Sequence, residues 1–259
     1  MTTAEESAVT KEELVTKGEL FERYEIALAV TRTEFENSPD IKFLLDPSTP
    51  DDLFHLWNLR WTAHGVRMTE QVESWIALAG RRSTDVGLPE LGRALAAHAR
   101  AEAGHEKLMM EDARALAEKW NERAKVPIDV ERLIASGPLY STRKYIAMHE
   151  EVIGGVRPYL QIGIEYEIER FSVVVLPGIL ERCRKALGEN GFTFIAEHVE
   201  IDQGHTAFNE RQLTNLLTLA DANLVPLVET GRWALRSYYP FISECLQLAK
   251  RDLEREKNA

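Results

Sequence analysis

The 259 residues are 44% apolar and carry a net charge of −11, with a pI near 5.2. That is enough chain for a full hydrophobic core in one or two domains, and the acidic balance argues against nucleic acid and anionic membrane as partners. The longest apolar run, Phe171 to Leu180, is too short to span a bilayer. The acidic start MTTAEESAVTKEEL has neither the basic nor the apolar region of a secretion signal. Cys183 and Cys245 lie far apart and outside any motif, and they read as free thiols of a reducing cytoplasm.

In chain order the pattern is helical from end to end. Thr10 with Glu13 forms a capping box that opens a helix to about Glu36. Residues 37–48 are a proline-containing connection. Thr49-Pro50-Asp51-Asp52 starts a second helix, which runs to about Gly80. RRSTDVGL reads as a loop, and Pro89 opens a third helix ending near Asn121. Short helices are expected over 129–135 and 141–153, the latter broken by Gly154-Gly155. Arg157–Leu187 is a long helix with an apolar centre and a bend expected at Pro177. Gly188 and Gly191 frame a turn before a helix from Phe192 to about Ala220. The last helix spans Leu224 to Lys257. No period-2 strand and no hairpin turn is present. The expectation is one all-α domain of about seven main helices over 1–259, comprising an N-terminal helix (10–36), a site-bearing core (50–220) and a C-terminal helix (224–257).

The chemistry concentrates in IAEHVEIDQGHTAFN. His198, Asp202 and His205 are spaced i, i+4, i+7, which places them on one stripe of a helix roughly 10 Å long. Two imidazoles and a carboxylate suit iron, manganese or zinc, and a row this long suits two ions better than one. Polar residues at helical spacing usually mark a solvated face, and chance supplies this pattern in a chain this long at odds of about a few per cent, so alone it is suggestive only. A second cluster with the same spacing, His98, Glu102 and His105, stands about a hundred residues upstream. Glu102 and His105 form the Glu-x-x-His unit by which helical bundles build two-metal carboxylate sites. Ala101, Ala103 and Gly104 around them would let another helix approach closely. A surface ion pair is the plainer alternative, given Glu106 and Lys107 nearby.

In GIEYEIERFSVVV three glutamates interrupt an apolar element. Glu165 and Glu169 share a face and Glu167 points elsewhere. Buried carboxylates need a partner or a metal. Glu169 is expected inside, whereas a solvated face serves at least as well for Glu165 and Glu167. The expected ligands are therefore Glu102, His105, Glu169, His198, Asp202 and His205, with His98 in reserve. This thiol-free N/O set fits two first-row ions rather than a structural zinc. His55, His64 and His149 have no partner pattern and read as structural or surface residues.

With these pieces in order, the chain resembles the haem-oxygenase-like diiron oxidases and oxygenases. The resemblance covers about residues 50–220 and rests on AEAGHEKL, on GIEYEIE ending in Glu169, and on HVEIDQGH. It implies the corresponding helical bundle, two Fe2+ ions or a Mn/Fe pair, and activation of O2. Some family members take a further carboxylate from the preceding helix, for which Glu70 and Glu73 are the candidates. Haem-degrading relatives use a His near the N-terminus, and this chain has none before His55.

The implied activity is oxidation of a small amine, amino acid or organic acid, by N-oxygenation or by oxidative C–C or C–H cleavage. The alternatives are a fatty-acid oxidative decarboxylase and a metal-free helical binding or interaction protein. Phe171, Val174 and Val175 would suit a lipid tail but are better explained by core packing, and Arg157 or Arg170 could hold a substrate carboxylate or equally be surface arginines. The expected partner is a small-molecule substrate. An electron donor and a homodimer are compatible with this reading.

Overall fold

The computed structural model describes residues 11–259, with side chains from Gly18 onward. The expected Thr10–Glu13 capping box therefore lies outside the described residues. Among the described residues there are eleven α-helices, two short 3-10 turns and no strand. In chain order α1 is Lys11–Glu36, α2 Pro39–Leu45, α3 Asp51–Thr69, α4 Val72–Asp85, α5 Pro89–Ala101 and α6 His105–Asn121. Then follow α7 Val130–Ile134, α8 Tyr140–Gly154, α9 Gln161–Leu187, α10 Thr193–Leu219 and α11 Leu224–Asn258.

Two of the expected long segments are each broken once. The second expected helix parts at Glu70-Gln71 into α3 and α4, and the third parts at 102–104 into α5 and α6. The latter break is set by Gly104, whose φ of 91° is open to glycine and costly for other L-residues. The supposed loop RRSTDVGL is largely helix, since α4 runs on to Asp85 and only residues 86–88 link it to α5. The 37–48 connection contains α2, with Pro39 in its first turn. Pro177 does not end α9, which continues for ten residues beyond it to Leu187. Tertiary packing sustains it there, with Leu176, Ile179 and Leu180 buried on either side of the proline.

The long α3 is buried on nearly every face from Leu53 to Val66, as befits a helix enclosed by others. It packs on α6 and α11 and touches α8 and α9. Its Trp57 and Trp61 rings stack 6.0 Å apart, and Trp61 meets Phe194 of α10 edge-on. The two 27-residue helices α9 and α10 lie along each other, joined by a turn in which Gly188 and Gly191 both have positive φ. α11 closes the bundle against α3, α8 and α9. No helix among the described residues is long and apolar enough to cross a membrane.

α1 is fastened to α9 by a buried polar knot. Glu167 accepts hydrogen bonds from Tyr24 Oη (2.7 Å) and from Arg32 Nε and Nη2 (2.8 and 2.7 Å). The same guanidinium makes a second two-point contact with Glu25, at 2.7 Å on each nitrogen. A solvated face for Glu167 is therefore overturned: the residue is 1% exposed, and fork-to-fork pairing with Arg32 compensates its burial. Gly231 of α11 is needed beside this knot, because a Cβ there would come within 2.8 Å of Tyr24 Oη and 3.0 Å of Glu167 Cγ.

Candidate metal centre

Three elements deliver the polar cluster: the α5–α6 junction, the N-terminal half of α9 and the middle of α10. On α10 the i, i+4, i+7 stripe faces inward, with His198 and Asp202 buried and His205 partly so, while Gln203 and Gly204 between them are exposed. On α9, Glu165 and Glu169 are both buried on the cluster side, one turn apart. The expectation of a solvated Glu165 fails: the residue is 8% exposed and lines a cavity. At the junction, the break leaves Glu102 at the C-terminal cap of α5 and His105 as the first residue of α6. They are joined across it by a 3.0 Å hydrogen bond between His105 Nδ1 and Glu102 Oε2.

The small residues at this junction do not serve close helix approach. Ala101 and Ala103 are exposed, and a Cβ on Gly104 would meet only the end of Lys107. Gly104 is there for the turn.

The donor atoms fall into two groups that share one carboxylate. His98, Glu102, Glu169 and His205 offer ligand atoms within 4.8 Å of one another, and so do Glu102, His105 and His198. Glu102 presents Oε1 to the first group, 2.8 Å from His205 Nδ1, and Oε2 to the second. In the first group His98 Nε2 lies 3.1 Å from Glu169 Oε1, and His205 Nδ1 lies 3.8 Å from that same oxygen. Asn209 donates to the other oxygen of Glu169 at 2.5 Å. In the second group His198 donates from Nδ1 to the Phe194 carbonyl at 2.7 Å. That bond puts the proton on Nδ1 and leaves the Nε2 lone pair free.

Of the six expected residues, five therefore stand in the two groups. Asp202 stands beside them, with Oδ1 3.7 Å from His205 Nδ1, on the wall of the adjoining cavity. His98, held in reserve at the sequence level, is a full member of the first group. The signal for it was its matching place in His-x3-Glu-x2-His and His-x3-Asp-x2-His. Glu70 and Glu73 are exposed and belong to neither group, and Glu70 pairs with Arg67 instead. His55, His64 and His149 are all buried, so none is a surface residue. His55 is tied to the Leu116 carbonyl, and His149 borders the cavity.

The donor set fits divalent cations. His98 Nε2 and His205 Nδ1 are buried with no hydrogen-bond partner, although carboxylate oxygens lie at 3.1 and 2.8 Å. Nitrogen and oxygen atoms this close but not aligned with each other converge on common points, as ligands do. Imidazoles and carboxylates without thiolate suit iron or manganese. Electrostatics agrees. Burial and then the Asp202 charge push the Glu169 pKa well up, and burial and then Glu102 push Asp202 up to about 7. Burial disfavours the Glu102 carboxylate, but the touching imidazoles of His105 and His205 outweigh it and hold its pKa below the usual range. Contact with Glu102 pulls His205 up to about 9, and burial pushes His198 down to about 4. Without cations the cluster thus retains protons that metal would displace.

A cavity of about 120 Å³ adjoins the cluster. Glu102, Glu169, His198 and Asp202 form its polar side, and Trp61, Tyr145, Phe194 and Tyr238 contribute much of the remaining wall. Phe171 and Val175 lie outside that wall. Phe171 stacks on Phe35 at 4.3 Å as core, while Val174 is 48% exposed. Arg170 pairs with Glu36, and Arg157 is exposed. Neither reaches the cavity, so neither holds a substrate carboxylate there.

No protein-family model matches the chain, and no curated protein matches it significantly. Solved structures do. A Shewanella denitrificans domain of unknown function with a haem oxygenase-like fold superposes with a TM-score of 0.68 at 18% identity, over 94% of this chain and 95% of that one. A TenA homologue from Pseudomonas syringae pv. tomato gives 0.61 at 12% identity, over 87% and 92%. A CADD-like protein of unknown function from Nostoc punctiforme gives 0.57 at 14% identity, over 91% and 99%. The chain has a haem-oxygenase-like, all-α fold.

Proposed function

We propose that the chain is a non-haem diiron oxidase or oxygenase that oxidises a small amine, amino acid or organic acid. The observation that carries this reading is the pair of interlocking donor groups sharing Glu102, set against a cavity. One cation would be held by His98, Glu102, Glu169 and His205, and the other by Glu102, His105 and His198, with Asp202 beside both. Two ferrous ions, or a Mn/Fe pair, would bind O2 and supply the electrons and oxidising power for attack on an N–H or C–H bond.

The protein's own part is positional. The Phe194 carbonyl fixes the His198 tautomer, and Asn209 fixes the Glu169 carboxylate. The aromatic wall lowers the polarity around the reacting space and strengthens the charge interactions inside it. The cavity measures about 120 Å³. That favours a small substrate over a fatty-acid tail.

Anaerobic titration with Fe(II), followed by metal analysis and oxygen uptake on exposure to air, tests the assignment. The expected result is two irons per chain and O2 consumption that a panel of small amines and acids accelerates. Fewer than one iron per chain under excess metal, with no uptake, would leave a metal-free helical binding protein.

A further inference from the structure

The cavity wall also carries polar residues that the metal-centre reading does not use. His149 of α8 and Glu165 of α9 both border the cavity, and Gln161 joins them. The His149 ring is fixed by a parallel stack on Trp75 at 4.0 Å and an edge contact with Tyr145 at 4.6 Å. Gln161 Nε2 lies 2.8 Å from His149 Nδ1 and 2.5 Å from Glu165 Oε1. An amide nitrogen only donates, so Nδ1 accepts and the ring proton sits on Nε2. Burial pushes the His149 pKa down to about 3, so the ring is neutral in this tautomer at ordinary pH. Nε2 then carries a donor, buried and without a partner.

Glu165 is the counterpart. Its Oε1 accepts from Gln161, and its Oε2 has no hydrogen-bond partner among the described residues. It belongs to neither donor group. No lysine or arginine borders the cavity, whereas four carboxylates and several aromatic rings do. An unpartnered buried donor is costly to leave unsatisfied. Burial and then the Glu169 charge push the Glu165 pKa up to about 8, so the acid holds its proton when the cavity is empty. An arriving ammonium favours the ionised carboxylate, and the surrounding aromatic faces add to its attraction.

We infer that Glu165 and His149, braced by Gln161, form the anchor for the non-reacting end of the substrate, and that this substrate is a small primary amine with a neighbouring hydroxyl or carbonyl oxygen. The ammonium pairs with Glu165 and the oxygen accepts from His149 Nε2–H. The inference rests on the reading of this cavity as the substrate space of a metal centre, and it narrows that reading from amines and acids to amines.

Calorimetric titration of the full-length chain, metal-free and loaded with redox-inert Zn(II), separates the two claims. The probes are 2-aminoethanol, n-propylamine and propionate, and the metal content of every sample is measured alongside. The expected order for the zinc-loaded protein is 2-aminoethanol above n-propylamine above propionate. Glu165→Gln, which keeps the shape, should weaken both amines by about tenfold or more. His149→Phe, which keeps the stack on Trp75, should weaken 2-aminoethanol and spare n-propylamine, so n-propylamine binding doubles as the check on folding. Amines binding no better than propionate, or unchanged by Glu165→Gln, would overturn the anchor. A lower zinc stoichiometry in Glu165→Gln would also overturn it, by making Glu165 a metal ligand. Amine binding that depends on Glu165 and His149 in a chain taking up no metal would sustain the anchor and sink the metal centre instead.

Discussion

At the scale of the residue, Glu102 is the joint of the site, because its two oxygens face different donor groups. Glu102→Ala should reduce divalent-metal uptake from two per chain to near zero. His98→Ala and His198→Ala, which touch one group each, should leave about one. Metal analysis after chelation and re-titration reads this directly, and equal losses in all three variants would contradict the shared-carboxylate arrangement. Most of these residues were legible in the sequence, since helical spacing is enough to place ligands on a stripe. What spacing cannot give is which member of a stripe reaches furthest into the cluster. Spacing therefore leaves His98 in reserve, whereas in the fold it offers an atom to the first group and Asp202 is set slightly apart. His64 offers an independent prediction. Burial and then Arg60 depress its pKa from 6.5 to about 4, so its contribution to stability is full above pH 6.5 and is lost as the pH falls towards 4. His64→Leu removes that burden. Between pH 7.5 and 5 the variant's unfolding free energy should improve relative to wild type by about 2 kcal/mol in chemical denaturation. A constant difference would mean that the ring already titrates normally.

At the scale of the element, the two helix breaks differ in legibility for a physical reason. The break at 102–104 has a chemical mark, Gly104 with φ 91°. The sequence offered that glycine as a spacer between helices, and its conformation was the missing information. Gly104→Ala should cost about 1–2 kcal/mol of stability and weaken metal binding, because the turn sets the Glu102–His105 pair. Fluorescence-monitored unfolding and metal titration would show both effects, whereas loss of stability alone would separate the turn from the site. The break at Glu70-Gln71 has no glycine or proline, and both residues keep right-handed helical angles. It follows from the packing of α3 and α4 against different neighbours, which a single sequence does not reveal. The glutamates of α9 make the same point. Their faces followed from periodicity, but burial of Glu165 and Glu167 depended on a cavity and on Arg32, 135 residues away.

At the scale of the whole molecule, the helical class was readable from end to end because period-3.6 patterning is a local property. Arrangement around a common cavity is not local. Metal links the scales. If the cluster holds cations only in the folded state, loading at a hundredfold excess over Kd should stabilise the chain by about 2.7 kcal/mol per independent site. Thermal unfolding with and without Zn(II) would show this as a raised midpoint, absent in Glu102→Ala.

The knot of Arg32 with Glu167 and Glu25 has a bearing on motion. α9 shows alternate glutamates to opposite sides: Glu165 and Glu169 to the cavity, Glu167 to α1. Turning α9 about its axis to widen the cavity would pull Glu167 from a desolvated guanidinium, at a cost on the order of 3–5 kcal/mol. α9 is thus the firmly held wall of the chamber, and on the proposed function any breathing that admits a substrate would fall to the partly exposed junction of α5 and α6 and to the middle of α10. Amide hydrogen exchange should be slow along 162–176 and faster at 101–106 and 203–208. Arg32→Leu should release the first stretch, so that the wall itself begins to exchange.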